Sequence, residues 1–339
     1  MNDLLDKYDN MGQIGSGNFG TVYKAYNKLL DRIEAIKVIN NVSQFDDEET
    51  LEAKVQHKLK HNNVTEIYDA FIRNGKLYIL MEFLDGGSIQ SILKKGKLSV
   101  KDTIKYGIDV LYGMQLIHNS GYIHRDIKPS NILLDKKRMA KLSDFGLISK
   151  LDAAGKYSSG FAYVKHKAPE VLLKNENSRV SDIYSLGLTL FRMLNGDDTL
   201  IQYQLREIPD LIIKGKFPPR DTYSPDVPKK LMNIINRALD INPDSRYPNA
   251  HEMRSALSQI QVPIDWNLIR NSDRKQTWFG NNSGLKYEVE FTRSLVVNKY
   301  TIEVKKGFKE LRKINKYCFN GIPEKEAKKR IAKILTMKF

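Results

Sequence analysis

The chain has 339 residues, 41% hydrophobic and 28% charged, and carries a formal net charge of +15 at pH 7. That balance is the one of a folded globular protein, and no run of about 18 apolar residues occurs, so no membrane-spanning helix is predicted. The lone cysteine, Cys318, excludes an internal disulfide; with an acidic N-terminus, MNDLLDKYDN, that has no leader pattern, it predicts a reducing, cytoplasmic setting.

Taken in chain order, the first feature is Ile14-Gly15-Ser16-Gly17-Asn18-Phe19-Gly20-Thr21-Val22, a G-x-G-x-x-G run. Such a run alone serves several phosphate-binding folds. The next residues, Thr21–Tyr26, are rich in β-branched and aromatic side chains and predict a strand, so the glycines stand in a hairpin whose bare amides can lie over phosphates. Ala35-Ile36-Lys37-Val38-Ile39 is a further strand with one lysine in an apolar run. Residues Asp46–Leu59 show helical spacing of Leu51, Val55 and Leu59, and carry the acids Glu48, Glu49 and Glu52. Strands are predicted over Glu66–Ile72 and Leu77–Glu82, joined by an Asn74-Gly75 turn.

From there helical patterns dominate, over Ser88–Lys94, Ser99–Ser120, Asn175–Ser178, Ser181–Leu194, Lys229–Asp240 and Ala250–Gln259. Between the second of these and a short strand at Ile132–Leu134 lies His124-Arg125-Asp126-Ile127-Lys128-Pro129-Ser130-Asn131, with Asp144-Phe145-Gly146 later in the chain. Asp126 is a candidate proton acceptor for an attacking hydroxyl. Asn131 and Asp144 offer oxygen to a hard cation such as magnesium, and Lys128 adds a positive charge. These are the parts for moving a phosphoryl group.

Both runs, in this order, resemble the catalytic and magnesium loops of protein kinases. Further resemblances are Lys167-Ala168-Pro169-Glu170, Ser181–Gly187 and Asp244–Tyr247. The resemblance covers about residues 8–260 and implies a bilobal α+β kinase fold, with a β-rich lobe at 1–84 and a helical lobe at 85–261. It implies ATP and Mg2+ as cofactors. Asp126 and Lys128 would act at the transferred group, and Asn131 and Asp144 would ligate the metal. Lys37 would reach the α- and β-phosphates. Anchoring on His61-Asn62-Asn63-Val64 selects Glu52 as its partner. Met81 matches the gatekeeper, and backbone groups of Glu82 and Leu84 would meet the adenine, so that side-chain identity at those two positions matters little. Val22, Ala35 and Leu133 would sandwich the base. Ile14 through Gly20 would cover the phosphates, with Phe19 at the tip. The lysine at position 128 resembles the serine/threonine branch, whose substrates are protein hydroxyls.

Two departures stand out. Four residues after Glu52 the family places an apolar packing residue, and here there is Gln56, which predicts either a different register or a helix held less firmly. The segment Leu147–Lys167 contains no threonine, where the family has one before A-P-E. Arg125 resembles the arginine that often binds an activation-segment phosphate; Ser158, Ser159 and Tyr157 are candidates to carry one, and a loop that needs no phosphate is the alternative.

From Val262 onward there are 18 Lys and Arg against eight Asp and Glu, and the pattern changes. Strands are predicted over Lys275–Phe279, Leu285–Thr292 and Lys299–Lys305, helices over Phe308–Tyr317 and Pro323–Met337, making 262–339 a small basic α+β accessory domain. It resembles no family. Three readings stand open: a basic domain packed beside the kinase part, a recognition domain for nucleic acid through charge and the aromatics Trp278, Phe279, Tyr287, Tyr300 and Tyr317, or a docking or oligomerisation domain. For the whole chain the alternative to an active kinase is a pseudokinase-like scaffold whose basic domain does the binding.

Overall fold

The computed structural model describes residues 7–17, 20–40, 47–158, 166–295 and 298–339. They divide into two compact units. The first spans 1–91, 109–185 and 248–251; the second spans 92–108, 186–247 and 252–339. Among the described residues no helix is long and apolar enough to cross a membrane.

The first unit begins with an antiparallel sheet in the order β1 (Tyr8–Gly17), β2 (Gly20–Asn27), β3 (Arg32–Asn40), β5 (Lys76–Glu82), β4 (Ile67–Arg73), with helix α1 (Asp47–Lys58) between β3 and β4. Period-2 alternation gives the sheet two apolar faces. Ala25, Ile36, Tyr78 and Leu80 cluster on one, and Ile67, Leu77 and Ile79 meet Ala53 of α1 on the other. Asn74 and Gly75 both take positive φ, as a two-residue hairpin turn requires. At Gly20 φ is +117° and a Cβ would run into the Val38 carbonyl, so glycine is obligatory where β2 starts beside β3.

After the short helix α2 (Ile89–Leu93), helix α3 (Val100–Asn119) leads into β6 (Tyr122–Ile123). The hairpin of β7 (Ile132–Leu134) and β8 (Ala140–Leu142) comes next, then β9 (Ser149–Lys150) paired with β6. Strand β10 (Tyr157–Ser158), helix α4 (Pro169–Lys174), strand β11 (Glu176–Asn177), which pairs with β10, and the first residues of helix α5 (Arg179–Asn195), up to Ser185, complete this part; the first part of α3, up to Ile108, and the remainder of α5 belong to the second unit. The predicted helix over Asn175–Ser178 is not formed. Asn175 adopts φ +57° and caps α4 through its N–H to Val171 O, and the next two residues are taken by β11.

The second unit holds α6 (Ile208–Ile213), α7 (Lys229–Ala238) and most of α8 (Ala250–Ser258), then an antiparallel sheet. Its strands β12 (Asp265–Asn271), β13 (Lys275–Asn282), β14 (Leu285–Arg293), β15 (Lys299–Gly307) and β16 (Arg312–Lys313) run in that order, and β17 (Phe319–Pro323) also pairs with β15. Helix α9 (Glu324–Thr336) packs on one face. Ile331, Ile334 and Leu335 meet Trp266, Trp278, Tyr287, Val289, Ile302 and Val304.

Two expectations are corrected here. The helix over Phe308–Tyr317 is absent, although Phe308, Leu311 and Ile314 have helical spacing. The chain doubles back after Gly307, pairs Lys306 with Arg312 and Lys305 with Lys313, and passes Ile314 N–H to Val304 O at 2.8 Å. The aromatics thought available to nucleic acid are also mostly spent on packing: Trp278, Tyr287 and Tyr300 are buried and Tyr317 packs against the same core. Of the five, Phe279 alone lies on the face away from α9, opposite Glu288.

Trp278 is fully buried at the centre of that core. Trp278→Ala is expected to cost ~3–5 kcal/mol, read by urea denaturation of the full chain, whereas Phe279→Ala on the opposite face costs clearly less.

Candidate active site

Every side chain assembled here belongs to the first unit. In β3, alternation sets Lys37 on the same face as buried Ala35, leaving its side chain 6% exposed. A buried ammonium is costly unless paired. Lys37 Nζ donates to Glu52 Oε1 at 2.7 Å, to Glu52 Oε2 at 2.9 Å and to Asp144 Oδ1 at 2.9 Å. Burial pulls the Lys37 pKa down, but the two carboxylates outweigh it and hold the group above its usual value. Burial pushes Glu52 up while Lys37 pulls against it. For Asp144, burial pushes upward and Lys37 overcomes it, so this carboxyl lies below its ordinary range.

Glu52 is therefore the acid of α1 that meets Lys37; the side chains of Glu48 and Glu49 lie outside the described residues. The expectation attached to Gln56 is corrected. Four residues beyond Glu52 it is 3% exposed, and its Nε2 donates to the Thr65 carbonyl at 2.8 Å. A polar anchor at the end of α1 holds the helix where an apolar contact was expected.

The loop after α3 is clamped from α5. Asp182 is 1% exposed and accepts from the backbone N–H of His124 and of Arg125, each at 2.9 Å, with the His118 ring Nε2 also at 2.9 Å. Arg125 stands at φ +66°, a conformation unusual for a residue with a side chain, and Asp144 at φ +61°. Downstream of the clamp, Asp126 Oδ2 accepts from Lys128 Nζ at 2.7 Å and from Asn131 Nδ2 at 2.8 Å. Asn131 Nδ2 also donates to the Asp126 carbonyl at 3.0 Å. His124 is fully buried, its ring 5.0 Å from that of Phe145, and burial lowers its pKa, so it packs as a neutral ring.

A hard cation fits this donor set. Asn131 turns its NH2 toward Asp126, which leaves Oδ1 as the atom to offer. Asp144 keeps an ionised carboxylate with 32% of its side chain exposed. Among the described residues no group of three or more His, Cys, Asp or Glu is placed to hold a metal ion.

The predicted nucleotide-contacting residues come from several elements. Gly15 pairs with Val22, Ser16 with Thr21 and Gly17 with Gly20 across the β1–β2 hairpin, while Ile14 is largely exposed. Asn18 and Phe19 lie outside the described residues. Ala35 and Met81 are direct partners across β3 and β5. Leu84 is buried, and Leu133 bridges to Ser88 just beyond it, with Gly86 N–H on Leu134 O at 2.9 Å.

At Glu82 the expectation that side-chain identity is immaterial is corrected. Its carboxylate takes both hydrogen bonds of Lys141 Nζ at 2.7 Å and one from the Glu66 N–H at 2.7 Å, bracing β5 against β4 and β8. Lys141 carried no sequence signal, being 59 residues away in an ordinary short strand. A cleft of about 1290 Å³ is lined by Lys24, Arg32, Glu82, Phe83 and Lys141 among others and contains none of Lys37, Asp126, Asn131 or Asp144.

The family described as the protein kinase domain matches residues 8–257. The serine/threonine-protein kinase sid1 of Schizosaccharomyces pombe is 34% identical over 249 residues, covering 71% of this chain and 52% of that protein. KIC1, a serine/threonine-protein kinase of Saccharomyces cerevisiae, is 30% identical over 297 residues, 85% of this chain and 27% of its own. The serine/threonine-protein kinase PrkC of Bacillus subtilis is 30% identical over 264 residues, 74% and 40% respectively. The chain belongs to the protein kinase family. It spans about half or less of the length of these relatives.

Two outcomes check this geometry. Gln56→Leu leaves the Thr65 carbonyl without its donor and should destabilise the protein by ~1–3 kcal/mol in urea melts. Asp182 is held below its ordinary pKa, with burial opposing and His118 and the loop N–H groups prevailing. Its contribution to stability is thus complete above the unfolded carboxylate pKa of about 4 and is lost as pH falls toward the lower folded value. The stability gap between wild type and Asp182→Asn should accordingly be widest above that pH and close below it.

Proposed function

We propose that this chain is an active protein serine/threonine kinase that transfers the γ-phosphoryl group of ATP, with magnesium, to a hydroxyl of a protein substrate, its own chain included. In this reading residues 1–84 and 85–261 form the two kinase lobes and 262–339 an accessory domain. The observation that carries the proposal is the convergence in one unit of a charged Lys37–Glu52–Asp144 chain and an Asp126 carboxylate oriented by Lys128 and Asn131. A scaffold that had lost catalysis would have no need to keep both.

Each residue has a distinct part in the transfer. Lys37, fixed by Glu52, presents its ammonium to the α- and β-phosphates. Asn131, through Oδ1, and the Asp144 carboxylate would hold the metal, and its positive charge would offset that of the phosphate groups. Asp126 orients the substrate hydroxyl and accepts its proton; Lys128, hydrogen-bonded to that carboxylate, neutralises charge developing beside it. Ala35, Met81, Val22 and Leu133 supply apolar surface to the base, and the backbone of Glu82 and Leu84 supplies its polar contacts. The glycines from Gly15 to Gly20 let the hairpin backbone approach the phosphates.

The test is incubation of the purified chain with γ-labelled ATP and magnesium, with mass spectrometry to locate transferred phosphate. Label should appear on serine or threonine of the chain or of an added protein. Asp126→Ala and Asp144→Ala should each lower transfer by about 100-fold or more, and omission of magnesium should abolish it. Wild-type protein that transfers nothing to itself or to general protein substrates would sink this reading in favour of a scaffold.

A further inference from the structure

Arg125 lies between the clamp at Asp182 and the candidate base Asp126. Its backbone is at φ +66°, and its guanidinium is turned away from Asp126 into the segment after Gly146. There Nη1 donates to the Leu147 carbonyl at 3.2 Å and to Ser149 Oγ at 2.9 Å, and the guanidinium carbon lies 4.6 Å from the centre of the Tyr157 ring. The residue is 9% exposed.

A charge this deep in the protein needs compensation. Burial lowers the Arg125 pKa, while Tyr157, Asp182 and Asp126 act in the opposite sense. A second cation stands near: burial and the charge of Arg125 both lower the pKa of Lys167. The π-face of an aromatic ring attracts a cation without carrying a charge of its own, and the attraction grows as water is removed.

Tyr157 is itself anchored. It opens β10, pairs with Asn177 of β11, and its carbonyl accepts from Asn177 Nδ2 at 3.2 Å. On either side of it Lys156 joins Glu176 at 2.8 Å, and Ser158 sits opposite Glu176 in the register. A phosphate on Ser158 would thus meet a carboxylate across the pair, and like charges directly opposite oppose pairing.

We propose that Tyr157 is a positioning residue that holds Arg125, and through it the backbone leading to Asp126, so that this segment is ordered with no phosphate on it. The ring occupies the guanidinium, β10–β11 fixes the ring, and β6–β9 fixes Ser149, which also meets Arg125. The catalytic loop is then clasped from two sides: Asp182 on its backbone, Tyr157 and Ser149 on the Arg125 side chain. The proposal rests on the kinase reading above for its effect on transfer, but the contact itself does not.

The test uses the full chain after phosphatase treatment, with mass spectrometry to confirm that residues 147–158 carry no phosphate. Four variants are compared with wild type: Tyr157→Phe, Tyr157→Leu, Arg125→Ala and the Tyr157→Leu/Arg125→Ala pair. Tyr157→Leu fills the space without a π-face. It should lower kcat by about tenfold with the KM for ATP changed less than about twofold. Tyr157→Phe should stay within about threefold of wild type. The pair should be no worse than Arg125→Ala alone, because the two residues act as one unit. Amide exchange over residues 147–158 should quicken in Tyr157→Leu and not in Tyr157→Phe.

Full activity of Tyr157→Leu, additive loss in the pair, or a wild type whose transfer disappears on dephosphorylation would each overturn the proposal. Should wild type transfer nothing under any condition, the kinase reading falls, and unchanged exchange in Tyr157→Leu would be what removes the Tyr157 contact.

Discussion

The carboxylate of Asp182 is the constraint on which the site depends. One buried side chain near the start of α5 accepts from two consecutive backbone amides of the loop that carries Asp126. Those amides belong to His124 and Arg125, and Arg125 is in a conformation that a side-chain-bearing residue does not choose unaided. A carboxylate offers several lone pairs in a fixed plane, so it can hold two adjacent N–H groups and a histidine at once. No apolar residue at position 182 could compensate those donors, and leaving them buried without a partner costs about 1–3 kcal/mol each.

From this clamp, contacts lead on toward Lys37 and Glu52. The His124 ring lies 5.0 Å from the Phe145 ring in a tilted arrangement, and Asp144, next to Phe145, accepts from Lys37, which also pairs with Glu52. The charges in this chain are mutually dependent. Lys37 remains protonated in a buried setting because two carboxylates face it, and Asp144 remains ionised because Lys37 does. Removing one partner would leave an uncompensated buried charge, the costly outcome for such groups. Gln56 adds a second hold on the same helix, so the position of Glu52 is set by a hydrogen bond to Thr65 as well as by the ion pair.

The parts of the fold that could be read in the chain are those where local pattern and tertiary role agree. The β-branched strands, the Asn74-Gly75 turn and the apolar stripe of α3 carry short-range signals that the packing then uses. The motif residues were legible as neighbours: Lys37, Glu52 and Asp144 meet, as do Asp126, Lys128 and Asn131. What could not be read depends on partners distant in sequence. Lys141 on Glu82, Gln56 on Thr65 and Tyr157 on Arg125 are ordinary residues whose meaning comes from what the fold sets opposite them. The failed helix at Phe308–Tyr317 is the reverse case. Its spacing imitated a helix, but Gly307 and the free edge of β15 offered a backbone ladder that outweighed the spacing.

The same distinction governs the basic C-terminal residues. Net charge invites a nucleic-acid reading, yet on the face of the sheet away from α9 positive and negative groups are interleaved. Lys275 pairs with Glu290 at 2.6 Å, Lys305 with Glu288 at 2.7 Å and Lys313 with Glu303 at 2.6 Å. On α9 itself Glu324–Lys328 and Glu326–Arg330 are spaced one turn apart. Such cross-strand and one-turn ion pairs are screened by water and contribute little stability, so their main effect is on register and on the field of that face. The surplus positive charge is left at the strand ends and on the exposed side of the helix, at Lys286, Lys306 and Arg312 and at Lys325, Lys329 and Lys333. It is therefore split between separate places rather than gathered over a flat aromatic surface. A sheet that buries its tryptophans and neutralises its open face is built first to pack, and its charge is what remains after packing is satisfied.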